Sequence, residues 1–140
     1  MSLDFSPLES AIRQLEKSLG YANSDLALND AGLAEQLRNS VIQCFEFTYE
    51  LSHKMLKRHL EETAASVDEI DVGTFQNLIR IGNEKGLLRS DWNGWRTYRQ
   101  ARNDSSHTYD KAKAASVFAI TPDFLAEARH LYRELLARNV

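Results

Sequence analysis

The sequence predicts an all-α fold, a four- to five-helix antiparallel up-and-down bundle formed as one domain over residues 1–140. Three observations carry this. Apolar residues recur at steps of three and four along most of the chain, the period of a helix that buries one stripe. No run alternates apolar and polar residues as a half-buried strand would. From Leu33 to Leu60 there is neither proline nor glycine, so nothing interrupts a long helix. A chain of this length hides roughly two-thirds of the surface its unfolded form exposes, enough for one core without a disulfide or a structural metal.

The elements follow in order. Ser6-Pro7-Leu8-Glu9 reads as a helix start, with a hydroxyl cap, proline where its missing N–H costs nothing, and a glutamate reaching back. That helix runs to about Tyr21 or Leu26 and buries Leu8, Ala11, Ile12, Leu15 and Leu19. Asp30 caps the second and longest helix, whose stripe is Leu33, Leu37, Val41, Phe45, Tyr49, Met55, Leu56 and Leu60. The acidic segment 61–73, with Gly73 and Thr74, separates it from a short third helix, which presents Phe75, Leu78 and Ile79 and which Gly82 and Gly86 end. Ser90 is the next cap, and Trp92, Trp95, Arg99 and Arg102 then share one helical face. Thr121-Pro122-Asp123 opens the last helix, with Phe124, Leu125, Ala128, Leu131, Tyr132, Leu135 and Leu136 as its stripe.

Composition narrows function mainly by exclusion. The single cysteine, Cys44, lies in an apolar helical run, where a free thiol acts as a small hydrophobe; the expected compartment is reducing, with the cytoplasm as default. Nowhere do eighteen apolar residues run consecutively, so no membrane span is expected. The net charge of −3 hides an asymmetry: residues 1–84 hold 7 basic and 14 acidic groups, whereas residues 85–113 hold 7 basic and 3 acidic. An anionic partner would prefer that basic stretch, although a solvated helix face explains it equally well. Nothing specifies DNA.

Chemistry concentrates in Arg99-Gln100-Ala101-Arg102-Asn103-Asp104-Ser105-Ser106-His107-Thr108-Tyr109-Asp110. Small polar residues there weaken helical continuation, so a break near Ser105-Ser106 is expected. On an unbroken helix Arg102 and His107 would diverge by roughly 140°, whereas a break lets both face one cleft. A guanidinium grips phosphate through two parallel N–H groups, and an imidazole titrating near neutrality moves protons, which together suit a phosphodiester. By itself the pair also reads as the polar end of a helix.

Other residues carry weaker signals. His53 and His59 are six apart, which does not bring two ligands to one helical face, and no metal or other cofactor is expected. Glu46 and Glu50 share a face; Lys54 one turn on accounts for Glu50 as a surface ion pair, whereas Glu46 is placed to brace an arginine of the cleft. Trp92 and Trp95 read as core before they read as a stacking platform.

The stretch Arg102-x4-His107-x-Tyr109 resembles the signature of one branch of the HEPN superfamily. Val41-Ile42-Gln43-Cys44-Phe45-Glu46-Phe47-Thr48-Tyr49-Glu50-Leu51, followed by Lys54 and Leu56, looks like the second-helix block of the small nucleotidyltransferase substrate-binding proteins, and Trp95 fits as well. His53 departs from it, standing where that family is expected to show tryptophan. The resemblance covers roughly residues 5–135. It implies a helical domain that pairs with a small nucleotidyltransferase encoded nearby, and two roles: the substrate- or nucleotide-binding half of that complex, or a dimeric, metal-independent toxin ribonuclease. In the second role it implies Arg102 and His107 as the catalytic pair, Tyr109 as a side chain the partner adenylylates, and Glu46, Arg99, Asn103 and Asp104 in support. A homodimer is expected, because the aromatics beside the arginines are a face to hide. The chain shows no Gly-Ser with a following Asp-x-Asp, so it is not itself expected to transfer nucleotides.

Overall fold

The computed structural model describes residues 3–64 and 74–139. Among these the chain forms α1 (Ser6–Ala22), α2 (Asp25–Asn29), α3 (Ala31–Thr63), α4 (Phe75–Glu84), α5 (Trp92–Asp104) and α6 (Lys111–Arg138), with a turn of 3-10 helix at Ser105–His107. It is an all-α bundle. The long α3 packs against α1 and α6, and α5 lies against α6 with α4 beside it. Asn139 ties the two ends together, accepting from Leu3 N at 3.1 Å and donating to Leu3 O at 2.9 Å.

The stripes read from the sequence are the core. Leu8, Ile12, Leu15, Val41, Phe45, Leu56, Leu60, Leu78, Phe124 and Leu131 are buried, and Trp95 and Tyr98 of α5 join them. Phe124 organises the centre, meeting Phe45 at 5.1 Å, Tyr98 at 5.0 Å and Trp95 at 5.8 Å between ring centroids, all close to edge-on, the arrangement aromatic quadrupoles favour. Leu33 and Leu37 drop out of the stripe, since Leu33 is exposed and Leu37 half-buried.

Several boundaries differ from the sequence reading. The first helix stops at Ala22, at the nearer of the two ends read from the sequence, and Asp25–Asn29 forms a separate short helix. Ser6 is the first residue of α1 rather than its cap; Phe5 holds the cap position, and Asp4, two residues before Ser6, accepts from both the backbone N–H and the hydroxyl of Ser6. Asp91, not Ser90, caps α5, accepting from Gly94 N at 3.4 Å. Asp30 caps α3 as expected, and the Thr74 side chain caps α4, accepting from Asn77 N at 3.1 Å. Gly73 lies outside the described residues. Gly82 does not end α4 but sits inside it, buried, where an added Cβ would press on Leu88 at 3.0 Å and Leu56 at 3.2 Å. Gly86, with φ of 78°, is the terminator.

The largest correction concerns α6. Thr121-Pro122 does not open it; Asp110 does, accepting from Ala112 N at 2.9 Å and Lys113 N at 3.1 Å, and Pro122 lies inside. Proline lacks the N–H that would reach the Phe118 carbonyl four residues back. The Thr121 hydroxyl donates to that same carbonyl at 2.7 Å, so the orphaned acceptor is satisfied and the helix continues.

α5 is fixed by a residue the sequence reading passed over. Glu127 of α6 is fully buried, and its carboxylate accepts from Arg89 N at 2.8 Å and Ser90 N at 3.0 Å, holding the loop that leads into α5. Nearby, Tyr98 donates to Asp123 Oδ2 at 2.5 Å while Arg89 donates to Asp123 Oδ1 at 2.8 Å. The helix bearing the arginines is thus pinned at both its entry and its middle.

Candidate functional site

The polar end of α5 breaks for a local reason. The Ser105 hydroxyl donates back to Arg102 O at 2.7 Å and the Ser106 hydroxyl to Asn103 O at 3.1 Å, competing with the next helical hydrogen bonds. The chain tightens into a 3-10 turn through His107, and Tyr109 and Asp110 follow before α6 begins.

Arg102 crosses from α5 to α3. Its Nε donates to Glu50 Oε1 at 2.9 Å, and its Nη1 lies 3.3 Å from Glu46 Oε2 and 3.2 Å from the buried Ser105 hydroxyl. Two carboxylates therefore orient the guanidinium. Glu46 meets an arginine as the sequence reading allowed, whereas Glu50, read as a surface partner of Lys54, turns to Arg102 instead.

A shallow cleft of about 460 Å³ opens beside this cluster, lined by Tyr49, Glu50 and His53 of α3, Phe75 of α4, Arg99, Arg102 and Asn103 of α5, and Ser106. Its floor is aromatic: the His53 and Phe75 rings meet edge-on at 4.9 Å, and Arg99 lies 5.2 Å over the Phe75 ring. Burial pushes the Tyr49 hydroxyl up to about 12, so it faces the cleft as a neutral phenol, the nearby Arg99 opposing the shift. Burial likewise lowers the His53 imidazole, with Lys57 and Arg99 acting in the same direction and Glu50 against it.

His107 stands beside the cleft and does not line it. Its Nδ1 is 3.1 Å from the Tyr109 hydroxyl, the two rings meeting nearly at right angles with centroids 5.7 Å apart. Tyr109 is 83% exposed, whereas Tyr98, the other tyrosine of this region, is 1% exposed and inside the core. Asp104 falls away from the cluster: it accepts from Gln100 at 3.2 Å and lines a different groove with Arg96, Thr97 and Ser116. Of the sequence-selected residues, Glu46, Arg99, Arg102 and Asn103 thus converge, His107 and Tyr109 pair next to them, and Asp104 separates. Glu50, Phe75 and His53 complete the cleft.

The indoles are not part of it. Trp95 is fully buried, and Trp92, half-buried, packs edge-on against Phe75 at 6.0 Å, so much of the aromatic half of that helix face is covered within the chain's own bundle. The sequence argument for a second protomer loses this support. Phe47 of α3, 57% exposed next to Glu46, is the large apolar side chain left open near the cluster. Among the described residues no group of three or more His, Cys, Asp and Glu gathers as a metal site, and no helix is long and apolar enough to cross a membrane.

The helical bundle agrees with comparison to known proteins. The family described as nucleotidyltransferase substrate binding protein like matches residues 3–137. The chain belongs to this family. Among relatives of this nucleotidyltransferase substrate-binding-like protein, a probable ribonuclease HepT from Haemophilus influenzae is 36% identical over 139 residues, covering 98% of this chain and 94% of that protein. A solved Haemophilus influenzae structure, described as revealing the fold of a substrate-binding domain of a nucleotidyltransferase, superposes with a TM-score of 0.86 at 35% identity, covering 94% of this chain and 98% of the other. A Thermus thermophilus crystal structure, with a TM-score of 0.66 at 24% identity over 91% of this chain and 98% of its own, shares the fold.

Proposed function

We propose that this protein is the HEPN-type partner subunit of a small nucleotidyltransferase in a two-component toxin-antitoxin system. In this reading it cleaves single-stranded RNA with Arg102 and His107, without a metal, and is silenced by adenylylation of Tyr109. The observation that carries the reading is the hydrogen bond between His107 Nδ1 and the exposed Tyr109 hydroxyl, directly after the helix that presents a braced Arg102. The name of the Haemophilus influenzae ribonuclease relative supports it.

The chemistry runs through the RNA's own nucleophile. His107 takes the proton of a 2′-hydroxyl, whose oxygen attacks the adjacent phosphorus; the bond to the 5′-oxygen breaks, that oxygen takes a proton from water and leaves as a 5′-hydroxyl, and a 2′,3′-cyclic phosphate remains. Arg102 binds the non-bridging oxygens, whose charge grows in the phosphorane. In the silencing step the Tyr109 oxygen attacks the α-phosphorus of ATP on the transferase and pyrophosphate leaves. The adenylate removes His107's partner and puts a negative phosphate beside the arginines. The working form is a homodimer in the cytoplasm, with Phe47 against the second copy and the two Arg-His sites facing one groove.

The test is cleavage of mixed single-stranded RNA in EDTA by the unmodified protein, with cyclic phosphate ends as the diagnostic product. Wild type that cuts nothing, or His107→Ala that cuts as well as wild type, sinks the ribonuclease reading. A second reading, a subunit that binds a nucleotide or substrate for the transferase without cleaving, draws on one observation: the cleft lined by Arg102 does not include His107. It is the reading that survives if cleavage fails while nucleotide binding persists.

A further inference from the structure

Arg99 and Arg102 stand one helical turn apart on α5 and line the same cleft, yet their charges are differently engaged. Arg102 meets two carboxylates, at 2.9 Å and 3.3 Å. Among the described residues no carboxylate pairs with Arg99; its guanidinium lies over the Phe75 ring at 5.2 Å, an attraction that uses none of its N–H donors. A phosphate arriving at Arg102 must share it with Glu46 and Glu50. A phosphate arriving at Arg99 competes with neither.

We propose that Arg99, backed by Phe75 and flanked by His53 and Asn103, is a phosphate-docking subsite for one nucleotide unit, supplying the ground-state affinity that the braced Arg102 does not. The proposal rests on the reading above that this cleft takes nucleotides. It divides the labour of the two arginines: Arg99 captures, and Arg102, its direction fixed by the two carboxylates, is held for charge that develops during reaction. The size of the cleft, about 460 Å³, lies at the small-molecule end of binding-site volumes and suits a mononucleotide. The edge-on His53 and Phe75 rings offer the base or ribose an apolar floor at 4.9 Å from one another.

The experiment is calorimetric titration of the full-length protein with adenosine 5′-monophosphate, adenosine and inorganic phosphate. Arg102 cannot be removed alone, because Glu46 and Glu50 would then repel the anion for a trivial reason; Arg102→Gln is therefore combined with Glu50→Gln, which leaves the net charge unchanged. Arg99→Gln should weaken the monophosphate by about tenfold or more, the effect of losing a charge-assisted contact, and Arg99→Lys by less, since charge is kept and the planar fork lost. The charge-neutral double variant should lose less than Arg99→Gln does. Arg99 is exposed, so its variants should fold, which far-UV circular dichroism verifies. Three results overturn the proposal: adenosine binding as tightly as its monophosphate, a loss below tenfold in Arg99→Gln, or an equal loss in the double variant. Binding is read without cleavage, so this outcome stands whether or not the protein cuts RNA.

Discussion

Glu50 and Arg102, 52 residues apart in the chain, are joined by a 2.9 Å hydrogen bond from the arginine Nε to a carboxylate oxygen. The contact spans α3 and α5 and is half-exposed, so its worth to stability is small, about 1 kcal/mol or less. Its effect is directional: with Nε engaged by Glu50 and Nη1 near Glu46, the guanidinium has one orientation.

Releasing that constraint should separate binding from turnover. Glu50→Gln removes a negative charge from the cleft and loosens Arg102, so nucleotide affinity should rise by about threefold or more while RNA cleavage slows. The measurement is KM against kcat on a short RNA. A lower affinity would mean that Glu50 does not compete with the phosphate.

His107 and Arg102 should fail differently. His107→Ala should cost roughly 10²–10⁴-fold in cleavage with little change in RNA affinity, as loss of a general base does. Arg102→Ala should reduce both, the affinity because Glu46 and Glu50 then stand uncompensated against the phosphate, and lysine should restore only part of the cleavage because it lacks the bidentate fork. Single-turnover cleavage alongside RNA binding by anisotropy distinguishes the two patterns.

In the proposed silencing step, exposure should decide which tyrosine takes the adenylate. With the neighbouring nucleotidyltransferase, ATP and magnesium, an adenylate mass should appear on the peptide carrying Tyr109, which is 83% exposed, and not on that carrying Tyr98, which is 1% exposed. Burial and the Asp123 carboxylate raise the Tyr98 hydroxyl to about 12, which further disfavours its oxygen as a nucleophile. Tryptic mapping by mass spectrometry reads the result; modification at Tyr98 would refute the assignment.

Glu127 should be a stability residue without a role in binding. Replacing it by alanine leaves the part-buried backbone N–H groups of Arg89 and Ser90 without their acceptor, a loss of about 2 kcal/mol, whereas glutamine keeps one acceptor and should lose less. Urea unfolding gives both numbers. An alanine variant as stable as wild type would show that the loop re-solvates freely.

Acid should destabilise the fold through two histidines. Burial lowers both His53 and His59 from the ordinary imidazole value of about 6.5, with neighbouring cations adding to the shift of each. The unfolded chain therefore binds these protons first, so the stability they contribute is complete above about pH 6.5 and is lost as the pH falls below it. Urea midpoints between pH 7.5 and 5.5 should fall, and fall less in His59→Gln. An unchanged slope in that variant would assign the acid sensitivity elsewhere.

The period of the apolar residues was enough to determine that the chain is helical and which faces it buries, and the small polar residues after Arg102 were enough to place a break near Ser105, because those facts depend on residues within a few positions of one another. The resemblance carried by Arg102, His107 and Tyr109 was legible for the same reason, as a short motif. Local sequence misread Thr121-Pro122, since proline looks the same at a helix start and inside a helix whose orphaned carbonyl has found the Thr121 hydroxyl. It also misread Glu50, whose local partner Lys54 lies four residues away while its actual partner comes from another helix. Glu127 sat on an apolar stripe, a signal that something polar must meet it inside, but only folding brings Arg89 and Ser90 to it. The asymmetry between a braced Arg102 and an Arg99 seated on Phe75 likewise needs three helices in register. Charge pairing and burial are decided by distance in space, and a linear pattern reports that distance only within one element.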